Sequence, residues 1–249
     1  MLNLKAVNDI LIIARMKTVP DLKRQPLSLM LSTMISAFPL FFFAMASMGE
    51  AMKDGLIGAM IAMVSNTSIS AAIQDVTQDR YVKIREIMVA KPIHPVSYAL
   101  GIALGALLLS LPGVVFYFMI AILTGVLEIV SLIWIIPSLL LCWAALSTLG
   151  FTISTYLYKS STYTLSYIAT MLSLGLIFFP PVYYPAKGLG KLSWLSYLIP
   201  TANAAEIIRG HVDFSELLVE SLLIRWSALI VTTVVFTFLT ALKAKWRET

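Results

Sequence analysis

Long uncharged stretches alternate along the chain with short charged ones. The uncharged stretches occupy residues 27–48, 55–74, 95–127, 129–158, 160–186 and 226–242. All but the last exceed the roughly 18 residues that mark a membrane-spanning helix, and the last approaches that length. Arg225 at its start can snorkel to the interface, so it is kept as a sixth span. The predicted fold is an all-α integral membrane protein, one transmembrane domain over residues 1–249. Its spans fall at 27–48, 55–74, 96–124, 129–158, 160–180 and 222–242. Pro39, Pro112 and Pro137 lie inside spans and are expected to kink them.

The segments between the spans have patterns of their own. In residues 1–25, Leu4, Val7, Leu11 and Ala14 recur at helical spacing while Lys5, Asn8, Asp9 and Arg15 fall largely elsewhere, which predicts an interfacial amphipathic helix. Asp9, Arg15 and Lys17 also interrupt any continuous apolar signal-peptide core, so this segment is expected to be retained. In the 75–95 loop, Tyr81, Ile84 and Met88 form one apolar stripe with Ile87 beside it. Asp79 and Lys83 are four apart, and Lys83 and Glu86 three apart, on another face. A short amphipathic helix ended by Pro92 and Pro95 follows from that spacing. Residues 181–221 begin in a proline and aromatic run, where Pro180 and Pro181 must end the fifth helix for want of amide donors. The apolar patches after it are too short to span, and Tyr183, Tyr184, Trp194 and Tyr197 read as interfacial anchors of short re-entrant helices.

Composition narrows the function. The chain is 59% hydrophobic and 12% charged, with a mean hydropathy of +0.88, where a soluble domain carries about 25% charged residues. The net charge of +5 does not point to nucleic acid, because the basic residues flank apolar segments and suit anionic lipid headgroups instead. Thirteen of the eighteen lysines and arginines fall on the side of the termini, which places both termini in the cytoplasm of a plasma-membrane protein.

Catalytic chemistry finds no support in the residue pattern. Cys142 stands alone in an apolar run and reads as a small buried hydrophobe, so neither disulfide nor cysteine metal cluster can be built. His94 and His211 lie in loops on opposite predicted sides, and no Gly-x-Ser-x-Gly elbow occurs. The stretch from Gly188 to Ser193 is not a phosphate-binding loop, since Pro185 and Leu192 occupy positions that need glycine and a hydroxyl. Apart from Arg225 at the start of the last span, Asp, Glu and Arg are missing from the spans, which disfavours a proton-coupled carrier. Small and hydroxylated residues remain there: Ser65, Asn66, Thr67, Ser68, Ser70, Thr152, Ser154 and Thr155, and the pair Gly101 and Gly105, whose spacing allows close helix packing.

The order of these parts resembles the ABC type-2 transporter permeases over nearly the whole chain. The most specific likeness is FFPPVYYPAKGLGKLSWLSYLIPTANAAEIIRG, carried by Phe179, Pro180, Pro185, Trp194, Pro200 and Arg209, and the loop QDRYVKIREIMVAKPIHPVSYALG is similar through Asp79, Arg80, Glu86, Pro92 and Gly101. Val82 and Lys83 replace a common Gly-Thr pair, and Ile199 replaces asparagine, departures that bear on the subfamily more than on the family. The resemblance implies an exporter of a drug, lipid or glycan, pairing with a second copy or a homologue and with a separate ATP-binding subunit that holds the ATP and Mg. It assigns ATPase docking to Asp79, Arg80, Tyr81, Lys83, Ile84, Glu86 and Met88, with Asp79, Lys83 and Glu86 facing the partner. An outer lid is assigned to Phe179, Pro180, Pro181, Tyr183, Tyr184, Pro185 and Trp194, with Tyr183 and Tyr184 near the mouth of the path. The competing class is a six-span channel or scaffold subunit that works without ATP.

Overall fold

The computed structural model describes residues 4–24, 26–46, 52–81, 94–212 and 219–243. Among the described residues the chain is helical and holds no strand. In order, the helices are α1 (Leu4–Arg24), α2 (Pro26–Ala46), α3 (Met52–Ser70), α4 (Val76–Tyr81), α5 (Pro95–Leu123), α6 (Leu132–Tyr156), α7 (Thr162–Phe178), α8 (Pro200–Val212) and α9 (Val219–Lys243). A π-helical turn, Ala71–Asp75, joins α3 to α4, and 3-10 segments occupy Ile129–Ser131 and Ala186–Leu198.

Four of the described helices are long and apolar enough to cross a membrane: Met52–Asp79, Val96–Leu123, Ile129–Tyr156 and Ser221–Leu242. Two shorter apolar stretches are Met30–Pro39, within α2, and Thr162–Phe178, which is α7. Pro180 and Pro181 account for the shortness of α7, since neither can donate the next helical hydrogen bond. Pro112 and Pro137, by contrast, lie inside unbroken helices.

The molecule is built around α3. From Gly55 to Ser65 every residue is buried, so the helix is apolar around its whole circumference, as a central helix must be. It packs against α2, α5, α6, α7 and α8. Small residues set the approach: a Cβ added at Gly58 would lie 2.5 Å from the Tyr183 ring, at Gly113 2.8 Å from Met63, and at Gly150 2.6 Å from Ala72 in the π-helical turn. The outermost helix, α9, leans on α6 and α8 and leaves most of its apolar side chains exposed.

The helix ends are specified locally. His94 caps α5, its Nδ1 accepting from the Val96 amide at 3.3 Å, and Pro95 takes the first-turn position where a missing amide costs least. At the other end Gly125, with φ 69°, closes a Schellman motif: Val126 N donates to Ala121 O and Gly125 N to Ile122 O, both at 2.9 Å.

The N-terminal helix departs from its expected face. It runs on to Arg24 through Pro20, and the residues turned to the bundle are Ile13, Ala14 and Thr18, while Val7 and Leu11 are exposed. Of the described side chains of the expected stripe, Ala14 lies in the packed face and Val7 and Leu11 do not. The reason is α5: Gly101 and Gly105 make a trough into which Ile13 and Thr18 fit, and a Cβ at Gly101 would come within 2.6 Å of Ile13 Cβ. Contact advances along both helices in the same sense, Ile13 meeting Gly101 and Thr18 meeting Gly105, so α1 lies along α5.

Candidate functional site

Polar side chains collect at the two ends of the bundle. At the α4 end, the rod that began as α3 carries Asp79 into a junction with α1 and α5. Asp79 is buried; its Oδ1 accepts from Lys17 Nζ at 2.8 Å and its Oδ2 from the Tyr98 hydroxyl at 2.5 Å. These are charge-assisted bonds, and together they give each carboxylate oxygen a donor. Asp75 in the π-helical turn lies within electrostatic reach of Lys17, Asp79 and Asp21.

Asp79 therefore faces inward, which corrects its expected place on a partner-facing surface. A lysine and a tyrosine from two other helices satisfy the carboxylate in place of a partner subunit. Arg80 and Tyr81 close α4, and their side chains lie outside the described residues, as do Lys83, Ile84, Glu86 and Met88 altogether.

At the opposite end, α7 stops at Phe178 and the chain turns through Pro180 and Pro181, with Val182 N donating to Pro180 O at 2.7 Å. Phe179 and Trp194 are exposed, Pro185 leads into the 3-10 segment, and Tyr184 donates to Phe179 O at 3.3 Å. Tyr183 is a second correction: instead of anchoring at an interface it is 2% exposed, with its ring over Gly58 and its hydroxyl donating to Ser36 O at 2.9 Å. Burial, and secondarily Tyr117 beside it, pushes the Tyr183 phenol well above its ordinary pKa, so it stays a donor.

Beneath this turn lies a group of four charges. Arg209 on α8 donates Nε to Asp54 Oδ1 at the start of α3, Nη1 to Glu206 Oε1 and Pro181 O, both at 3.1 Å, and Nη2 to Val182 O at 2.5 Å. Glu206 Oε1 also accepts the Ala186 amide at 2.8 Å, and its Oε2 lies 3.7 Å from Nη2 of Arg225. Arg225 reaches Ser196 Oγ and Asn203 Oδ1 at 3.4 Å, and its guanidinium stands 4.4 Å from the Tyr197 ring centroid, a cation–π contact. Its Nε has no hydrogen-bond partner among the described residues. Arg225 is buried, not snorkelled: Glu206 and Tyr197 draw it under the irregular segment.

This cluster was not among the site residues expected from the sequence. Two of its four members, Asp54 and Arg225, border apolar runs in the sequence, and only the spacing of Glu206 and Arg209, three apart with Ile207 and Ile208 between them, signals a buried pair. Chemically the group is a static brace. The guanidinium of Arg209 satisfies two carbonyls of a non-helical turn, and such backbone inside an apolar body needs internal partners. Beside it His211 stacks on Trp134 at 4.0 Å.

Between the ends, hydroxyls join helices. Ser173 donates to Asn66 at 3.0 Å, linking α7 to α3, and Thr152 and Thr240 meet at 2.7 Å, linking α6 to α9. Among the described residues no group of His, Cys, Asp and Glu is placed to hold a metal ion.

A central apolar helix, peripheral apolar helices and braced polar ends define a polytopic α-helical membrane protein. Residues 11–211 match the model of the family described as ABC-2 type transporter, and the chain belongs to that family. It is thus a membrane permease of ABC-type transport, a transport subunit and not a catalytic one, of a kind that works with an ATP-binding partner. A search of curated proteins gives no match.

Proposed function

We propose that the chain is the permease half of an ABC exporter, crossing the plasma membrane six times with both termini in the cytoplasm. In this reading α2 and α7 complete the set of spans, and the segment from Phe179 to Val212 re-enters the outer face. A second copy or a homologue pairs with it, and a separate subunit binds ATP and Mg. The cargo is an amphipathic drug, lipid or glycan.

The family match over residues 11–211 carries this reading. The continuity of α3 through the π-helical turn into α4 supports it mechanically. A push on residues 80–91 from an ATPase would pass directly into the central helix, and through Asp79 to α1 and α5. Docking then falls to Arg80, Tyr81, Lys83, Ile84, Glu86 and Met88, with Asp79 as the inner root of that segment.

The test reverses Lys83→Glu and Glu86→Lys together in the assembled transporter. Loss of ATPase-subunit co-purification and of transport is expected, while Asp79 remains intact to hold the fold. Unchanged co-purification and transport would remove the docking assignment.

A further inference from the structure

We infer that the groove between α1 and α5 is a binding site for one anionic phospholipid. The cavity measures about 450 Å³, far more than the roughly 30 Å³ share of a water molecule, and its walls are almost wholly apolar. Leu11, Ala14, Val19 and Leu22 line it from α1 and Leu108 from α5, and one cation, Arg15, stands among them. Thr18, the other polar residue of the wall, already donates to Ala14 O at 2.8 Å and to Gly105 O at 3.3 Å, so Arg15 is the group left to hold a ligand.

Charge selects the occupant. Arg15 is exposed and makes no ion pair among the described residues, in contrast to Lys17 two positions on, which is engaged by Asp79. An apolar channel with a single unpaired guanidinium complements a molecule with one long apolar tail region and one anionic head. Free phosphate would leave the apolar walls unused, and a neutral lipid would leave the cation unused.

Depth agrees with this. At 29 residues and about 1.5 Å per residue, α5 is longer than the roughly 30 Å hydrocarbon core, so its first turns reach the headgroup layer. Arg15 lies on the part of α1 that runs beside Gly101 and Gly105, near the start of α5, and Leu22 and Leu108 lie further along. The head would bind at Arg15 and the tail would follow the groove toward Leu108. This inference needs only that the chain sits in a membrane, and it is independent of transport direction or partner.

The experiment uses purified full-length protein, delipidated in detergent and offered phosphatidylglycerol or phosphatidylcholine, with retained lipid counted by native mass spectrometry. One phosphatidylglycerol per chain should be retained in preference to phosphatidylcholine. Arg15→Gln should lower that retention by about fivefold, the weight of one basic residue at an anionic surface. Lys23→Gln, which removes an exposed charge of the same helix outside the groove, should leave it unchanged. Leu108→Trp should fill the groove and lower retention with Arg15 in place, provided the variant elutes as a single folded species. Millimolar inorganic phosphate should not compete. Equal retention of the two lipids, an Arg15→Gln variant that behaves as wild type, an equal loss in Lys23→Gln, unchanged retention in a folded Leu108→Trp, or displacement by inorganic phosphate would each overturn the site.

Discussion

The two polar ends of the bundle solve different problems. At the α4 end one carboxylate, Asp79, joins three regular helices through Lys17 and Tyr98, and Lys17 keeps 22% of its side chain exposed. At the α8 end four charges from α3, α8 and α9 enclose an irregular stretch of backbone, and the side chains of Glu206, Arg209 and Arg225 are all at most 7% exposed. Helices satisfy their own amides and carbonyls, so the first end needs only a joint. The turn after α7 does not, so the second end needs donors supplied from elsewhere, and Arg209 supplies them to Pro181 and Val182.

Arg209→Ala should therefore have the largest effect, because it leaves the carbonyls of Pro181 and Val182 without their donor and takes a cation from buried Glu206. Breaking one side of a buried pair costs about 3–5 kcal/mol, and purified protein should lose folded yield or show a sharply lowered thermal midpoint. Asp79→Asn should cost less, about 2 kcal/mol, since it weakens hydrogen bonds to a charged group while the amide retains part of the geometry. Equal losses in the two variants would erase the distinction between joint and clasp. A double-mutant cycle of Asp79→Asn with Lys17→Met sharpens it further: coupling between these positions should be measurable, and coupling between Asp79 and Arg209 should be absent within error. Thr152→Val, midway along the bundle, should matter least, about 0.6 kcal/mol, the typical weight of one hydrogen bond between membrane helices. A Thr152→Val loss as great as that of Asp79→Asn would mean that polar contacts hold the apolar middle as firmly as the ends.

Much of this molecule is legible in its residues, though unevenly. The end of α7 at Phe178 follows from Pro180 and Pro181, and the close approach of α1 to α5 follows from Gly101 and Gly105, because each depends on what a backbone can physically do nearby. The packed face of α1 was not legible. Ile10 and Ile13 are as apolar as Val7 and Leu11, and only the trough on α5 decides between them. Tyr183 misled in the same way, since a tyrosine in an aromatic run suits an interface equally well until Gly58 opens a space for its ring.

The residue pattern alone sets the solvent: uncharged runs of this length bury their backbone only as helices, and only in a membrane or within a body of other helices. Which charges are partners emerges only once the helices have packed. Asp54 and Arg209 are 155 residues apart, and nothing local to either one points to the other. The physical reason is range. Helix formation and termination are governed by neighbours along the chain, whereas the cost of burying a charge is offset only by whatever the folded bundle carries to within a few ångströms of it.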